Sequence, residues 1–359
     1  MAVPLVLALV ALVVTNALTP AVRRVARRVG AIDYPGGRRI NARPTPRLGG
    51  VAIYLGFVVA ALLAMVVTRP IELVQSDGAT FLRIPIALRT DRALVGLMLG
   101  GTFLLGVGVY DDLRGLHPAL KFAAMVVAAA VLIPFGLATQ FVTHPLTGRT
   151  VAVGPWGAVF TILWVVAVVN IINFIDGVDG LAAGIVAIAG TTLLLVAAHK
   201  HDAVATSLAA GLVGAALGFL RHNFNPARIF MGDSGSMFLG YVLGGLAVMG
   251  MYKSYTAISL LVPILALGVP IADTAFAIVR RARSGRPIYL PDRGHLHHRL
   301  LDRGLTQRQT VVLLYLVSAA LGLGALALAD ISRTTAVVTL GVITAVLVIG
   351  VRQMRLLAR

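Results

Sequence analysis

The 359-residue sequence predicts an all-α protein, a polytopic integral membrane helical bundle. Three observations predict it. Hydrophobic residues make up 58% of the chain against 13% charged, with a mean hydropathy of +0.91, where a soluble domain carries roughly a quarter charged residues. Uncharged runs of about 15 to 20 residues recur along the whole length, each long enough to cross a hydrocarbon core of roughly 30 Å at about 1.5 Å per residue. Nothing divides the chain: no linker, low-complexity tract or fixed-period repeat interrupts it, so residues 1–359 read as a single transmembrane domain.

Taken in order, about eleven runs qualify. The first, Val3 to Pro20, has no basic region before it and arginines after it, so it is expected to be a retained helix and not a cleaved leader. The others are Gly49 to Val67, Leu94 to Val109, Leu120 to Leu137, Ala158 to Ile172, Leu181 to Ala198, Val204 to Leu220, Met237 to Met251, Ala257 to Val279, Val311 to Ala329 and Ala336 to Val351. Their loops are short. The longest lie between Val22 and Leu48 and between Arg280 and Arg308, and both are strongly basic. Between Thr143 and Val153 a Gly-centred turn flanked by β-branched residues reads as a hairpin.

The formal charge of +17 would suit nucleic acid, but the basic residues fall on alternate predicted loops, which argues against that partner. Most of the Lys and Arg collect on one side. The positive-inside rule makes that side cytoplasmic, with the N-terminus outside and the C-terminus in the cytoplasm. Cysteine is absent, which excludes disulfides and thiolate metal ligands.

The acidic residues carry more information, because only 14 Asp and Glu exist and three groups of them, Asp111 with Asp112, Asp176 with Asp179, and Asp233, follow odd-numbered runs, on the predicted cytoplasmic side. "VYDDLRGLHPALK" places Asp111 and Asp112 at the membrane surface shortly before Lys121. Adjacent carboxylates raise each other's proton affinity unless a cation holds them; helix capping with a snorkelling lysine is the simpler alternative. In "NIINFIDGVDG", Asn170, Asn173, Asp176 and Asp179 recur at every third position, and Gly177 and Gly180 let the backbone leave the helix and refocus them. An Asn/Gly helix end would explain the glycines but not the carboxylates, which the helix dipole disfavours there. Carboxylate and amide oxygens together suit a hard ion such as Mg²⁺.

"NFNPARIFMGDSGSMFLG" supplies Asn223, Phe230 and Asp233 around a Gly-Asp-Ser-Gly turn that opens a helix. That turn suits an anion or is an ordinary N-cap, and it lacks the lysine of a Walker loop. "DRGHLHHRLLDRG" packs His295, His297 and His298 against Arg299. Three imidazoles among cations suit phosphate better than zinc, although an amphipathic helix lying on anionic lipid would use the same residues. Asp273, inside the ninth run, is expected to bond within the bundle.

These motifs, with "PTPRLGG" at Pro44 to Gly50, resemble the polyprenyl-phosphate N-acetylhexosamine-1-phosphate transferases, the superfamily that includes the phospho-MurNAc-pentapeptide translocase. The resemblance spans nearly the whole chain. It is closer to the branch that transfers GlcNAc-1-phosphate to polyprenyl phosphate and primes envelope glycans: "HLHHRL" replaces a run of three histidines, Arg47 stands where the translocase has a second threonine, and ten spans are expected of the translocase. One departure is Met125, where family members often carry glutamine.

The resemblance implies a Mg²⁺-dependent (or Mn²⁺-dependent) transfer from a UDP-N-acetylhexosamine to undecaprenyl or decaprenyl phosphate in the cell inner (plasma) membrane, with UMP released at the cytoplasmic face and a homodimer as one arrangement. It implies Asp233 and Asn173 as metal-holding residues and Asp111, Asp112, Asp176, Asp179 and Lys121 as the catalytic group. Phe230 and Asn223 would meet uracil, with Arg47, His295, His297, His298 and Arg299 on the remaining substrate. The translocase itself, using UDP-MurNAc-pentapeptide, is the near alternative. A secondary transporter is the remote one, since its polar groups would lie at mid-membrane in repeated halves.

Overall fold

The computed structural model describes residues 2–35, 43–67, 72–76, 79–83, 88–143, 150–252, 258–283 and 296–329. Twelve helices are described: α1 (Ala2–Arg28), α2 (Gly49–Val67), α3 (Leu88–Arg114), α4 (Pro118–Val131), α5 (Trp156–Ile175), α6 (Leu181–His199), α7 (Ala203–Asn223), α8 (Gly232–Tyr252), α9 (Ile258–Ala266), α10 (Gly268–Arg283), α11 (Leu296–Asp302) and α12 (Gln307–Ala329). Among the described residues, α1, α3, α5, α6, α7 and α12 are long and apolar enough to cross a membrane, and α2 and α4 are shorter apolar helices. The protein is a multi-pass membrane helical bundle. The expected run from Ala336 to Val351 lies outside the described residues.

In lipid there is no hydrophobic drive between helices, so close approach depends on small residues that let backbones touch. Helix α7 does this with Gly214 and Gly218: a Cβ on either would run into the backbone of α1 at Ala8 or Leu12. Helix α8 does the same against α5, where a Cβ on Gly240 would meet Val169 Cα at 2.7 Å. Along α8, Phe238 meets Tyr54 and Phe57 of α2 edge-on, with ring centroids 5.3 and 5.6 Å apart. The Tyr241 hydroxyl reaches the carbonyls of Gly96 on α3 and Ala128 on α4, 3.2 Å each. Helix α8 is therefore the axis on which α2, α3, α4 and α5 are gathered, and the residue that opens it lies where their ends meet.

Two expectations are corrected. The ninth run, expected as one helix from Ala257 to Val279, is broken at Leu267 into α9 and α10. Pro270 has no N–H to offer the Ala266 carbonyl and its ring crowds that turn, while Pro263 weakens α9 in the same way. The chain also has strands that were not expected: β1 (Ile32–Asp33) pairs with β2 (Thr45–Pro46), and β3 (Glu72–Ser76) with β4 (Ala79–Arg83), both antiparallel. Ser76 is paired with Ala79 in the second of these pairs. The hairpin expected near Thr143 is present as β5 (Phe141–Thr143) and β6 (Thr150–Ala152).

Candidate active site

The C-terminal ends of α3, α5 and α7 and the N-terminal ends of α2 and α8 meet at one end of the bundle around a cavity of about 270 Å³. Its lining includes Arg47, Asp112, Asp176, Asp179, Phe230, Asp233 and His298. Carboxylates far apart in the sequence thus share one space.

Asp112, in the last turn of α3, reaches across to the start of α8. It accepts hydrogen bonds from the Asp233 N–H (3.0 Å), the Ser234 N–H (3.2 Å) and the Ser234 hydroxyl (2.7 Å). An N-terminal helix end carries unpaired N–H groups and a partial positive charge, so a carboxylate from a neighbouring helix serves as its cap. Gly232 is required there: its φ is 71°, and a Cβ would strike the Asp112 carboxylate. Asp111, one residue earlier, accepts from the Leu116 N–H at 2.5 Å and pairs with Lys121 Nζ at 2.6 Å. Lys121 also pairs with Asp233, and the other Asp233 oxygen accepts from Asn173 Nδ2 at 2.9 Å. Asn173 in turn donates to the Ser236 hydroxyl at 2.8 Å. One cation therefore lies between two carboxylates from different helices.

Asp176 caps the end of α5 and faces the same cavity. Desolvation by burial, then the charges of Asp233 and Asp112, push its carboxyl well above the usual carboxylate range, with Arg47 opposing. Arg47 follows β2, lines the cavity and is ion-paired with the buried Asp33 of β1. The Phe230 loop is sewn to the same segment: Phe230 N donates to the Pro46 carbonyl at 2.8 Å, and Gly49 N donates to the Phe230 carbonyl at 3.0 Å.

The remaining expected residues divide. Asn223, which the resemblance places against uracil, has only 2% of its surface exposed; its Oδ1 accepts from Gly180 N–H and its Nδ2 donates to the Ile229 carbonyl, 3.0 Å each. Asp179, placed in the catalytic group, accepts from Ala227 N–H at 3.0 Å and from Asn225 Nδ2 at 3.1 Å. Both residues line the cavity, and these contacts also hold the loops that shape it. His297 is buried beneath His298, with ring centroids 4.4 Å apart, and lines a small void beside Asp273 instead of the cavity. Arg299, also on α11, is not among the cavity residues. His295 lies outside the described residues. Asp273 accepts from the Leu296 N–H at 2.7 Å and so ties α11 to α10, as expected of a structural residue. Met125 is buried and receives the Asn170 amide at 3.2 Å on its sulfur.

Sequence reasoning missed Asp33, Asn225 and Gln307. Asp33 was a lone acid in a basic loop, and no local signal marks the other two.

The oxygen donors of Asp233, Asp176 and Asn173 fit a hard divalent cation better than a soft one. No group of three His, Asp or Glu side chains among the described residues forms a complete coordination set. That is compatible with Mg²⁺, which takes one or two carboxylates and keeps water.

The fold and the site together define a multi-pass membrane protein with a cluster of carboxylates around one lysine at one end of its helical bundle. The pattern of glycosyl transferase family 4 matches residues 94–251. A Bacillus subtilis protein named probable undecaprenyl-phosphate N-acetylglucosaminyl 1-phosphate transferase is 36% identical over 89% of this chain and 83% of its own. The decaprenyl-phosphate N-acetylglucosaminephosphotransferase of Mycobacterium tuberculosis is 36% identical over 93% of this chain and 85% of its own. The undecaprenyl-phosphate alpha-N-acetylglucosaminyl 1-phosphate transferase of Yersinia pestis is 27% identical over 84% and 78%. The chain belongs to glycosyl transferase family 4.

Proposed function

We propose that the protein transfers N-acetylglucosamine-1-phosphate from UDP-N-acetylglucosamine to a polyprenyl phosphate, undecaprenyl or decaprenyl, and so starts a lipid-linked envelope glycan. The observation that carries this reading is the meeting of Asp111, Asp112, Lys121 and Asp233 at one bundle end, in a chain whose relatives are named for that transfer. A phosphate oxygen of the acceptor attacks the β-phosphorus of the donor, the bond from that phosphorus to the UMP oxygen breaks, and UMP departs. Both reactants are anions, so neutralising and positioning charge is the main demand.

Each residue has a part in that demand. Lys121 supplies a fixed cation between Asp111 and Asp233. The second pKa of a phosphate monoester lies near 6, so the acceptor is already mostly dianionic at neutral pH and a general base would add little; Asp111 and Asp112 hold the site's geometry. The transfer is read as direct from donor to acceptor; a phospho-enzyme trapped on Asp111 in the absence of acceptor would overturn that step. Phe230 offers an aromatic face to the base, and Arg47 and His298 line the cavity as donors for phosphate oxygens. A Mg²⁺ held by Asp233 and Asn173, with Asp176 beside them, would screen the diphosphate when bound.

The apolar runs support about eleven spans in an inner (plasma) membrane, and the positive-inside rule supports an outside N-terminus with this end of the bundle cytoplasmic. There the water-borne nucleotide and the lipid phosphate can both reach it. The test is UMP release by the purified full-length protein with undecaprenyl or decaprenyl phosphate, each UDP-sugar being offered in turn. Release with UDP-N-acetylglucosamine is expected. Release only with UDP-MurNAc-pentapeptide would make the protein a translocase, and release with no donor would overturn the reading.

A further inference from the structure

A hydrogen-bonded chain at the cavity wall fixes the chemistry of one side chain outside the catalytic cluster. The Asp179 carboxylate can only accept, so the Asn225 atom bonded to it must be the amide nitrogen. The same nitrogen is bonded to Gln307, which must therefore turn its carbonyl oxygen toward Asn225. The Gln307 Nε2, a double N–H donor, is the end left over; it has no partner among the described residues, and Gln307 lines the cavity.

Gln307 is not needed by its own helix. It occupies the first turn of α12, but Thr306 and Gln309 close that end as a reciprocal capping box: Thr306 N–H donates to Gln309 Oε1 at 2.9 Å, and Gln309 N–H donates to the Thr306 hydroxyl at 3.3 Å. Nor is its position loose. Arg308 Nε donates to the Asn225 carbonyl at 3.0 Å, and the Tyr315 hydroxyl donates to the Gly180 carbonyl at 2.5 Å. Helix α12 is thereby fastened to both loops of that wall. An oriented pair of neutral N–H groups, held rigidly in a cavity whose phosphate-binding duty falls to cations, suits a neutral acceptor oxygen.

We propose that Gln307 is a donor-recognition residue, giving a hydrogen bond to a carbonyl oxygen of the sugar nucleotide, either on the uracil ring or on the N-acetyl group. The inference rests on the reading of the protein as a UDP-N-acetylglucosamine transferase. Substitution by methionine keeps the length and removes the amide. Substitution by glutamate keeps the acceptor for Asn225 but turns an oxygen toward the substrate carbonyl. Loss of one neutral hydrogen bond should raise the KM for UDP-N-acetylglucosamine roughly three- to tenfold in Gln307→Met, with kcat little changed, and further in Gln307→Glu.

Full-length wild type and both variants are to be assayed side by side for UMP release, with thermal midpoints recorded and UMP used as a competitive probe. If UMP inhibition weakens by the same factor as the donor KM, the partner is a uracil carbonyl; if UMP inhibition is unchanged, it is the N-acetyl carbonyl. Donor KM values of the folded variants within about twofold of an active wild type would overturn the inference and leave the function standing. A wild type that releases no UMP from this donor brings down both.

Discussion

On the cavity wall formed by α3, α4, α5 and α8, Asp233 is bonded by the side chains of Lys121 and Asn173, and Lys121 is shared with Asp111. On the wall formed by the α5–α6 and α7–α8 loops, Asp179 accepts a backbone N–H, and Asn223 bridges Gly180 and Ile229 through backbone groups alone. The residue types are the same, yet they have different duties. A side chain bonded to other side chains can exchange those partners for a ligand without disturbing the chain trace. One bonded to buried backbone cannot, because the freed N–H or C=O would be left without water or protein to satisfy it. Asp112 stands between the two cases: it lines the cavity but caps α8.

The contrast can be broken by substitution. Asp233→Ala should lower UMP release on the order of 10³-fold with little change in thermal midpoint, since no backbone group depends on its carboxylate; a large loss of stability would place it with the structural wall. Lys121→Met should lower the rate on the order of 10²-fold by leaving Asp111 and Asp233 without their common cation, and single-turnover rates at saturating donor would measure it. Asn223→Ala should act the other way round, costing about 2–4 kcal/mol of stability in denaturant titration because two buried backbone groups lose their partners. Asp179→Asn keeps one acceptor oxygen and should cost about 1 kcal/mol.

Asp176 gives the smallest and most diagnostic effect. Its carboxyl titrates above the ordinary value in the folded protein, so the folded state holds that proton more tightly than the unfolded chain does. Stability therefore falls as pH rises from the unfolded value of about 3.9 through the folded one. Without divalent cation, Asp176→Asn should raise the thermal midpoint at neutral pH by a few degrees and flatten that dependence. Added Mg²⁺ should favour the wild type instead.

Much of this wall-by-wall design could be read in advance. Apolar runs located α2 and α6 almost to the residue, and the clustering of rare aspartates marked Asp111, Asp112, Asp176 and Asp233. Counting runs did not reveal that one of them is split at Leu267, ahead of Pro270. The division of labour among polar residues was not legible either: "NFIDGVDG" shows Asn173, Asp176 and Asp179 as equals, and only the neighbouring α7–α8 loop makes Asp179 a backbone acceptor. Gln307 carries no signal, because its significance lies in the orientation that Asn225 imposes.

Composition and periodicity determined that this chain crosses a membrane as helices, since a long apolar run has no other way to satisfy its backbone in lipid. Motif order singled out Asp111, Asp112, Asp176 and Asp233 as candidates, since ionised groups are costly in so apolar a chain. The tertiary structure alone decided which of them hold backbone and which are bonded by other side chains. Hydrogen bonds are directional and made one partner at a time, and the partners here come from elements far apart in sequence: Asn173 and Asp233 are 60 positions apart, Asp112 and Ser234 122.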